Sequence, residues 1–469
     1  MIKEAFNRND WNELAHEEKG HIFPTYLYWR AVQLACKVVD CEPGVYGVWY
    51  KNNGFSWMTT KNALANSGKK IVEKLETDES FLKKIINVNI TGIPKMLKDS
   101  EWFAQDLNKK NGEEIYAQWE LLRKNFLKMM QYSVLGTVME FEEPVLSNKL
   151  TKLLIDKFGE KKASQYFTEL TLLTELTSAQ KEQIELIDLK EQNVEEHWKK
   201  YAWVSFNYDG PGWSLEDMGK RFANKYQLAK INISKRKKEQ EELEKKLRLS
   251  KKERYLFHVL RTLGFWKFER KSLNGKSHYT LENLMKEIAR RHNLTLEEAK
   301  SILPSEMKQV LVDKKVDKEI LKKRCKLAVA VYKGYDDYEI YTGEDALRLE
   351  HDIKESLKVD PNIKEIKGST AYKGYAKGKA KIVNKPEDMK GFKKGYILVS
   401  ASTSPEIMTA MKKAAAIVTD SGGITCHAAI IARELKVPTI IGTKFASKII
   451  KNDEIIEVDA DKGIIRKIK

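Results

Sequence analysis

The sequence predicts a multidomain α+β protein with largely helical N-terminal and middle regions and a compact C-terminal domain. Apolar residues recur at helical spacing through most of the first 355 residues. After about residue 360, short β-rich runs alternate with short helices between glycines and prolines. The length of 469 residues suits several domains, and a hydrophobic content of 42% is enough to build their cores.

The composition restricts the class of protein. The net charge of +17 attracts phosphates of any kind, but it is spread along the whole chain, which is typical of a Lys-rich solvated surface. The cysteines are too few and too scattered for a disulfide framework, which indicates a reduced, cytoplasmic protein: Cys36, Cys41, Cys325 and Cys426. The N-terminus lacks the apolar core of a signal peptide, and we expect no membrane span.

Residues 1–230 are predicted to form a mostly helical N-terminal region. One helical face is marked by apolar residues spaced 4, 3, 4 and 3 apart: Ile115, Trp119, Leu122, Phe126 and Met129. The exception lies near 45–57, where an Asn-Asn-Gly turn between aromatic-rich runs predicts a β-hairpin. Aromatic residues also crowd a Gly-Pro-Gly loop at 201–213. We expect them to pin this loop to helices, with a ligand-stacking surface as the alternative.

Residues 231–355 are predicted to form a helical segment with a charged helix and a short β-hairpin. The charged run at 235–254 spaces Glu and Lys so that they pair across helical turns, which predicts one long exposed helix. The alternative is that this helix is one arm of a helical hairpin. Such a helix could bind nucleic acid, but a solvated face is the commoner meaning, so we do not expect a nucleic-acid partner. The hairpin is expected at 327–341. Pro361 and Gly368 then indicate a hinge or linker over 356–367.

Residues 368–469 are predicted to form the C-terminal α/β domain. The candidate strands are 379–383, 396–400, 416–419, 438–441, 454–458 and 464–468. The candidate helices are 405–413, 427–435 and 444–450. The density of alternating short elements indicates one compact unit of about a hundred residues.

The strongest functional pattern is the run TDSGGITCHAA at 419–429. A buried strand ends at Val418, and Gly422 and Gly423 allow a tight turn in which the backbone can approach a ligand closely. Thr425 and Cys426 lead into an alanine-rich helix, which places His427 in its first turn. A helix N-terminus offers unpaired N–H groups and a partial positive charge, so it is a natural seat for phosphate.

His427 is therefore predicted to act as a nucleophile toward phosphorus, with the backbone amides and Thr425 holding the phosphoryl oxygens. The helix dipole favours its neutral, nucleophilic form. Thr419 and Asp420 are expected to orient the ring or the turn, and Arg433 to anchor the helix. The remaining histidines are expected to be structural or surface residues: His16, His21, His197, His258, His278, His292 and His351.

The C-terminal domain resembles the swivelling β/β/α phosphohistidine domain of phosphoenolpyruvate-utilising enzymes, such as phosphoenolpyruvate synthase, pyruvate phosphate dikinase and rifampin phosphotransferase. The motif residues that carry the resemblance are Gly422, Gly423, Thr425, Cys426, His427, Ala428, Ala429, Ala432, Arg433, Glu434, Leu435 and Pro438. The resemblance implies a phosphotransferase in which His427 is the phosphohistidine, supported by Gly422, Gly423, Thr425 and Cys426. It also implies a domain that moves between a loading site and an unloading site.

The donor and the acceptor are not visible in the sequence. Neither an ATP-grasp domain nor a TIM barrel is recognisable, so we expect ATP or phosphoenolpyruvate to load His427 in trans, with an ATP-grasp protein as a partner and a small molecule as the acceptor. The resemblance implies Mg²⁺ with either donor, but no metal ligands or other cofactor can be assigned in this chain. The alternative is a non-catalytic regulatory protein that binds a ligand or partner and retains the mobile domain.

Overall fold

The protein folds as a helix-rich body with a five-stranded sheet, followed by a C-terminal region built on an eight-stranded sheet. The computed structural model describes residues 11–17, 20–60, 62–225, 232–334, 337–356, 358, 360, 363–403, 407–422 and 426–468. Within these residues, no helix is both long enough and apolar enough to cross a membrane.

The body contains sixteen α-helices within the described residues. Their bounds are α1 Ile22–Val38, α2 Ala65–Thr77, α3 Glu79–Glu101, α4 Gly112–Ser133, α5 Leu135–Phe141, α6 Val145–Phe158, α7 Glu160–Thr171, α8 Ser178–Ile187, α9 Val194–Tyr201, α10 Leu215–Ala223, α11 Ile233–Lys246, α12 Lys251–His292, α13 Leu296–Lys300, α14 Met307–Leu311, α15 Lys318–Lys326 and α16 Gly343–Ser356.

The sheet of the body joins the two ends of this region. Its strands are β1 Trp11–Glu17, β2 Tyr46–Lys51, β3 Gly54–Thr60, β4 Leu327–Lys333 and β5 Asp337–Thr342, in the antiparallel order β1-β3-β2-β4-β5. One face of the sheet lies on the main helical core, and α16 covers part of the other face. Since β2 pairs with β4, residues near position 50 and near position 330 belong to one sheet.

The helices form where local patterns favour them. The face of α4 predicted from its spacing is buried, and Asn111 and Glu114 form a capping box at its start. Ser250 and Glu253 cap α12 in the same way, and Asn293 ends it in the left-handed conformation at φ 50°. At 42 residues, α12 is long enough to contact most of the helical body.

The prediction of one continuous helix over 235–254 is wrong. Helix α11 ends at Lys246, and α12 begins at Lys251. Arg248 has a φ of 48°, which a right-handed helix cannot contain, and the Ser250 side chain caps the next helix. The reason is burial of Leu247 and Leu249 in the main core, which bends the chain where the charge pattern alone favours continuity.

The C-terminal region is a mixed sheet with short helices. Its strands are β6 Glu365–Lys367, β7 Ser369–Tyr372, β8 Tyr375–Ile382, β9 Ile397–Ser400, β10 Ala416–Thr419, β11 Thr439–Ile441, β12 Ile455–Asp459 and β13 Ile464–Lys467. Its helices are α17 Met408–Lys413, α18 His427–Leu435 and α19 Ala446–Ile449. Strands β8, β9, β10 and β11 are parallel, and the outer strands add antiparallel in the order β6-β13-β12-β8-β9-β10-β11-β7.

Strands β6 and β7 were not predicted from the sequence. β6 pairs with β13, so three residues at the end of the predicted hinge, 356–367, lie in this sheet. Pro361, on which the hinge prediction rested, lies outside the described residues. The hinge itself therefore stays a prediction.

Candidate functional site

The candidate site is the turn between β10 and α18. β10 lies between two parallel neighbours, β9 and β11, so the turn follows the carboxyl end of a central strand. Such edges are where open α/β sheets bind ligands. His427 is the first residue of α18, and the predicted supporting residues Gly423 and Thr425 lie outside the described residues.

Gly422 makes this turn possible in two ways. Its φ of +110° lies in a region that residues with a side chain rarely adopt. A Cβ at this position would also lie 2.7 Å from the Sγ of Cys426, well inside contact distance. The turn thus brings residue 422 directly against the residue that precedes His427.

Cys426 is the N-cap of α18. Its backbone is extended, and its Sγ accepts a hydrogen bond from the Ala429 N–H at 3.4 Å. Burial raises the pKa of the Cys426 thiol, although the bond from Ala429 and the nearby Lys267 ammonium oppose that rise. Cys426 therefore stays a neutral thiol at neutral pH and acts as a cap rather than as a thiolate nucleophile.

Thr419 and Asp420 hold the backbone around the turn. The Thr419 hydroxyl donates to the carbonyl oxygen of Ser421 at 2.9 Å. The Asp420 carboxylate accepts from the Thr443 hydroxyl at 2.8 Å and from the backbone N–H and hydroxyl of Ser447. Burial raises the pKa of Asp420, and the bonds from Ser447 and Thr443 oppose it. Asp420 thus ties the turn to the start of α19.

The rest of α18 is fastened to its own sheet. Ala428 and Ala429 are buried and pack with Ala371 of β7 and Ile441 of β11. Their small size allows the helix to approach the sheet closely. Arg433 is also buried, which lowers its pKa to about 10, and its Nε donates to the Ala371 carbonyl oxygen at 3.4 Å.

The C-terminal region contacts the helical body on the side of this turn. The Ser402 hydroxyl donates to the His16 carbonyl oxygen at 3.3 Å, and the Lys448 ammonium lies 2.8 Å from the Glu13 carboxylate. Lys267 of α12 lies close enough to Cys426 for each charge to influence the other's pKa. The edge of the C-terminal sheet at which this turn lies therefore faces β1 of the body.

Sequence reasoning missed Lys267 and its neighbour Arg270 as candidate functional residues. The sequence contains a pattern that could have identified them. Neither residue has an acidic side chain three or four positions away on its helix, where an ion pair would form. Lys271, which follows Arg270, adds a third cation. The spread of Lys and Arg along the whole chain indicates a solvated surface and gives no other sign of these two residues.

Among the described residues, no group of three His, Cys, Asp or Glu side chains is arranged to hold a metal ion. Mg²⁺ stays an expectation that the resemblance attaches to the phosphoryl donor.

Comparison with known proteins matches the C-terminal region. Residues 392–463 match the family described as PEP-utilising enzyme, mobile domain. A probable phosphoenolpyruvate synthase of Archaeoglobus fulgidus is 48% identical over 100 residues, which cover 21% of this chain and 13% of that protein. The phosphoenolpyruvate synthase of Pyrococcus furiosus is 37% identical over 136 residues, covering 28% of this chain and 17% of that protein.

Among solved structures, aconitase X of Thermococcus kodakaraensis is similar over 22% of this chain and 98% of the aconitase X chain, at 21% identity and a TM-score of 0.18.

This chain spans less than a fifth of the length of the two synthases that it matches. The shared segment contains β9, α17, β10, α18, β11, α19 and β12. Residues 392–463 thus match the mobile domain of PEP-utilising enzymes, and we call the C-terminal region the mobile domain.

Proposed function

We propose that this protein is a phosphotransferase that carries a phosphoryl group on His427 between a donor and an acceptor. The observation that carries the proposal is the position of His427 as the first residue of α18, directly after the Gly422 turn, within the segment that matches the mobile domain. Two relatives of this segment are named phosphoenolpyruvate synthases, which supports phosphoryl transfer as the chemistry.

The chemistry follows from the position. A neutral imidazole nitrogen attacks the phosphorus, the N–P bond forms as the donor's O–P bond breaks, and the donor oxygen keeps the electron pair. The partial positive charge at a helix start stabilises the added negative charge. In the second half-reaction, an acceptor oxygen attacks the phosphorus and the imidazole leaves with its electron pair.

The proposal extends to the partners of the reaction. ATP or phosphoenolpyruvate is the donor, with Mg²⁺, and a separate ATP-grasp protein in the cytoplasm supplies the loading site. A small molecule is the acceptor. These assignments rest on the resemblance of the domain, because the matched segment covers only a small part of each relative.

The test is labelling of the full chain with phosphoenolpyruvate or with ATP labelled in its β- or γ-phosphate, each with and without cell extract. We expect acid-labile label on the wild type and on His351→Ala, an exposed histidine on α16 that serves as the matched control. His427→Ala should carry none. Label that persists at the same level in His427→Ala would overturn the assignment of the phosphohistidine.

The competing function is a non-catalytic regulatory protein that retains the domain. It predicts no label on the wild type under any of these conditions, together with stable binding of a ligand or partner. The aromatic loop at 201–213 does not favour it. Phe206 packs edge-on against Tyr279, and Tyr208 against Phe55, so these rings fasten the loop to the body.

A further inference from the structure

Three cations lie side by side on the face of α12 that contacts β1 through the Lys271–Glu17 ion pair. Lys267, Arg270 and Lys271 are spaced three and four residues apart, which places them side by side on a helix. Lys271 has a carboxylate partner, Glu17, at 3.3 Å. Lys267 and Arg270 lie within no salt-bridge distance of any carboxylate among the described residues.

Arg270 is a buried guanidinium with spare hydrogen-bonding capacity. The residue is 4% exposed, and its Nη2 donates to the Thr137 hydroxyl at 3.3 Å. The guanidinium carbon Cζ lies 5.4 Å from the centre of the Tyr28 ring. Its Nε has no hydrogen-bond partner within the described part of the chain. A buried charged donor without a partner is costly, so its presence points to a ligand that supplies the missing acceptor.

Lys267 lies one helical turn before Arg270 on α12, and its ammonium is 6.0 Å from the Phe141 ring centre. Burial lowers the pKa of Lys267. The third cation, Lys271, is paired with Glu17 of β1, and the carbonyl oxygen of the adjacent residue, His16, accepts a hydrogen bond from Ser402 of the C-terminal region. The cations therefore lie beside the contact between the body and the edge of the sheet from which α18 starts.

The charge of Glu140 interacts with that of Lys267, but the two groups do not form a salt bridge. Glu140 is 2% exposed and accepts hydrogen bonds from the Leu146 N–H at 3.0 Å and from the Ser147 hydroxyl at 2.5 Å. Its oxygens are thus committed to the start of α6. Burial raises the pKa of Glu140 to about 7, so it is only partly charged at neutral pH.

We propose that Lys267 and Arg270 form a binding site for a phosphoryl anion on the helical body, facing the start of α18. This inference rests on the proposed function. It adds that this chain itself contains one of the two sites, loading or unloading, between which His427 moves. The anion is either the phosphoryl group carried by His427 or the phosphate of a free substrate. Both need the same chemistry: a fork of guanidinium donors and an ammonium in a site shielded from water.

The test uses the full chain and two probes. Inorganic phosphate represents a free substrate. Phosphoramidate, which transfers its phosphoryl group to histidine with loss of ammonia, loads the domain without a protein donor, and intact mass measures the loading. Each probe is applied to the wild type, His427→Ala, Lys267→Met, Arg270→Met, the charge-retaining Lys267→Arg, and Lys286→Met. Lys286 is an exposed residue of the same helix and serves as the matched control.

If a free phosphate binds, inorganic phosphate raises the unfolding temperature of the wild type and of His427→Ala alike. If the site receives the carried group, only phosphoramidate raises it, and His427→Ala does not respond. In either case Lys267→Met and Arg270→Met should weaken binding by about tenfold or more. The binding is that of inorganic phosphate in the first case and that of the phosphorylated domain in the second. Lys267→Arg and Lys286→Met should bind as the wild type does.

A wild type that responds to neither probe would overturn the site, as would equal responses in the wild type and the two Met variants. These outcomes are separate from failure of the proposed function, which is judged by donor labelling of His427. If His427 is labelled but neither probe raises the unfolding temperature, the protein remains a phosphoryl carrier whose loading and unloading sites both lie on other proteins.

Discussion

Gly422 and Cys426 touch across the turn that precedes His427: a Cβ on residue 422 would lie 2.7 Å from the Cys426 sulfur. The contact joins the end of β10 to the first turn of α18. Because the glycine also has a φ of +110°, sterics and backbone conformation both require glycine at this position.

Replacing Gly422 with alanine should therefore destabilise the mobile domain by about 1–3 kcal/mol and shift the helix start. Thermal unfolding measures the first effect, and labelling of His427 measures the second. Gly219→Ala is the matched control, since a Cβ there meets nothing within 4 Å and helix α10 continues through it. We expect that control to be neutral or slightly stabilising. A Gly422→Ala protein as stable as the wild type would contradict the contact.

The cap at Cys426 gives a second prediction. Cys426→Ala removes the acceptor of the Ala429 N–H and should cost about 0.5–2 kcal/mol of unfolding free energy. Cys426→Ser keeps an acceptor and should retain both the stability and the labelling of His427. Urea denaturation measures the free energy of unfolding of the two variants and shows whether the Cys426 side chain stabilises the helix as a cap or only fills space. If Ser were as damaging as Ala, the cap would not be the reason for this residue.

The stability of the body should depend on the protonation of Glu140. Burial raises its pKa to about 7, above its value of 4.5 in an unfolded chain, so the folded state holds the proton more tightly. This contribution is fully present below about pH 4.5 and is lost as the pH rises through about 7. The loss amounts to about 3 kcal/mol at most.

The measurement is the unfolding free energy between pH 5 and pH 8 for the wild type and Glu140→Gln. The variant should show a smaller decline over this interval, whatever its absolute stability, because glutamine does not titrate. Glu113→Gln, an exposed residue on α4, is the control and should keep the decline of the wild type. Identical slopes in Glu140→Gln and the wild type would falsify the raised pKa.

The cations that we assign to the anion site should weaken the fold when no anion is present. Replacing Lys267 with methionine removes a half-buried charge that has no carboxylate at salt-bridge distance among the described residues, and it retains the apolar stem, so the free energy of unfolding should rise by about 1–3 kcal/mol in phosphate-free buffer. Lys286→Met, which removes an exposed charge paired with Glu282, should change it by less than about 0.5 kcal/mol. A loss of stability in Lys267→Met would mean that the ammonium is already compensated.

The sequence by itself determined the features that depend on short spacing. The period of α4 placed its apolar residues on one face, and all five are buried. The glycine turn and the alanine-rich run placed His427 at a helix start, which the structure forms at that residue. In these cases the residues that interact lie within a few positions of one another, so local geometry is enough.

The tertiary structure decided what depends on distant parts of the chain. Burial of Leu247 and Leu249 divides the charged run into two helices, and pairing with β13 and β11 turns residues near 370 into strands. The contact between β1 and the C-terminal region brings Lys271, the ion-pair partner of Glu17, near Ser402, which bonds to the adjacent His16 carbonyl oxygen. Whether a cation is solvated or buried without a carboxylate depends on which elements surround it, and that is a property of the folded chain.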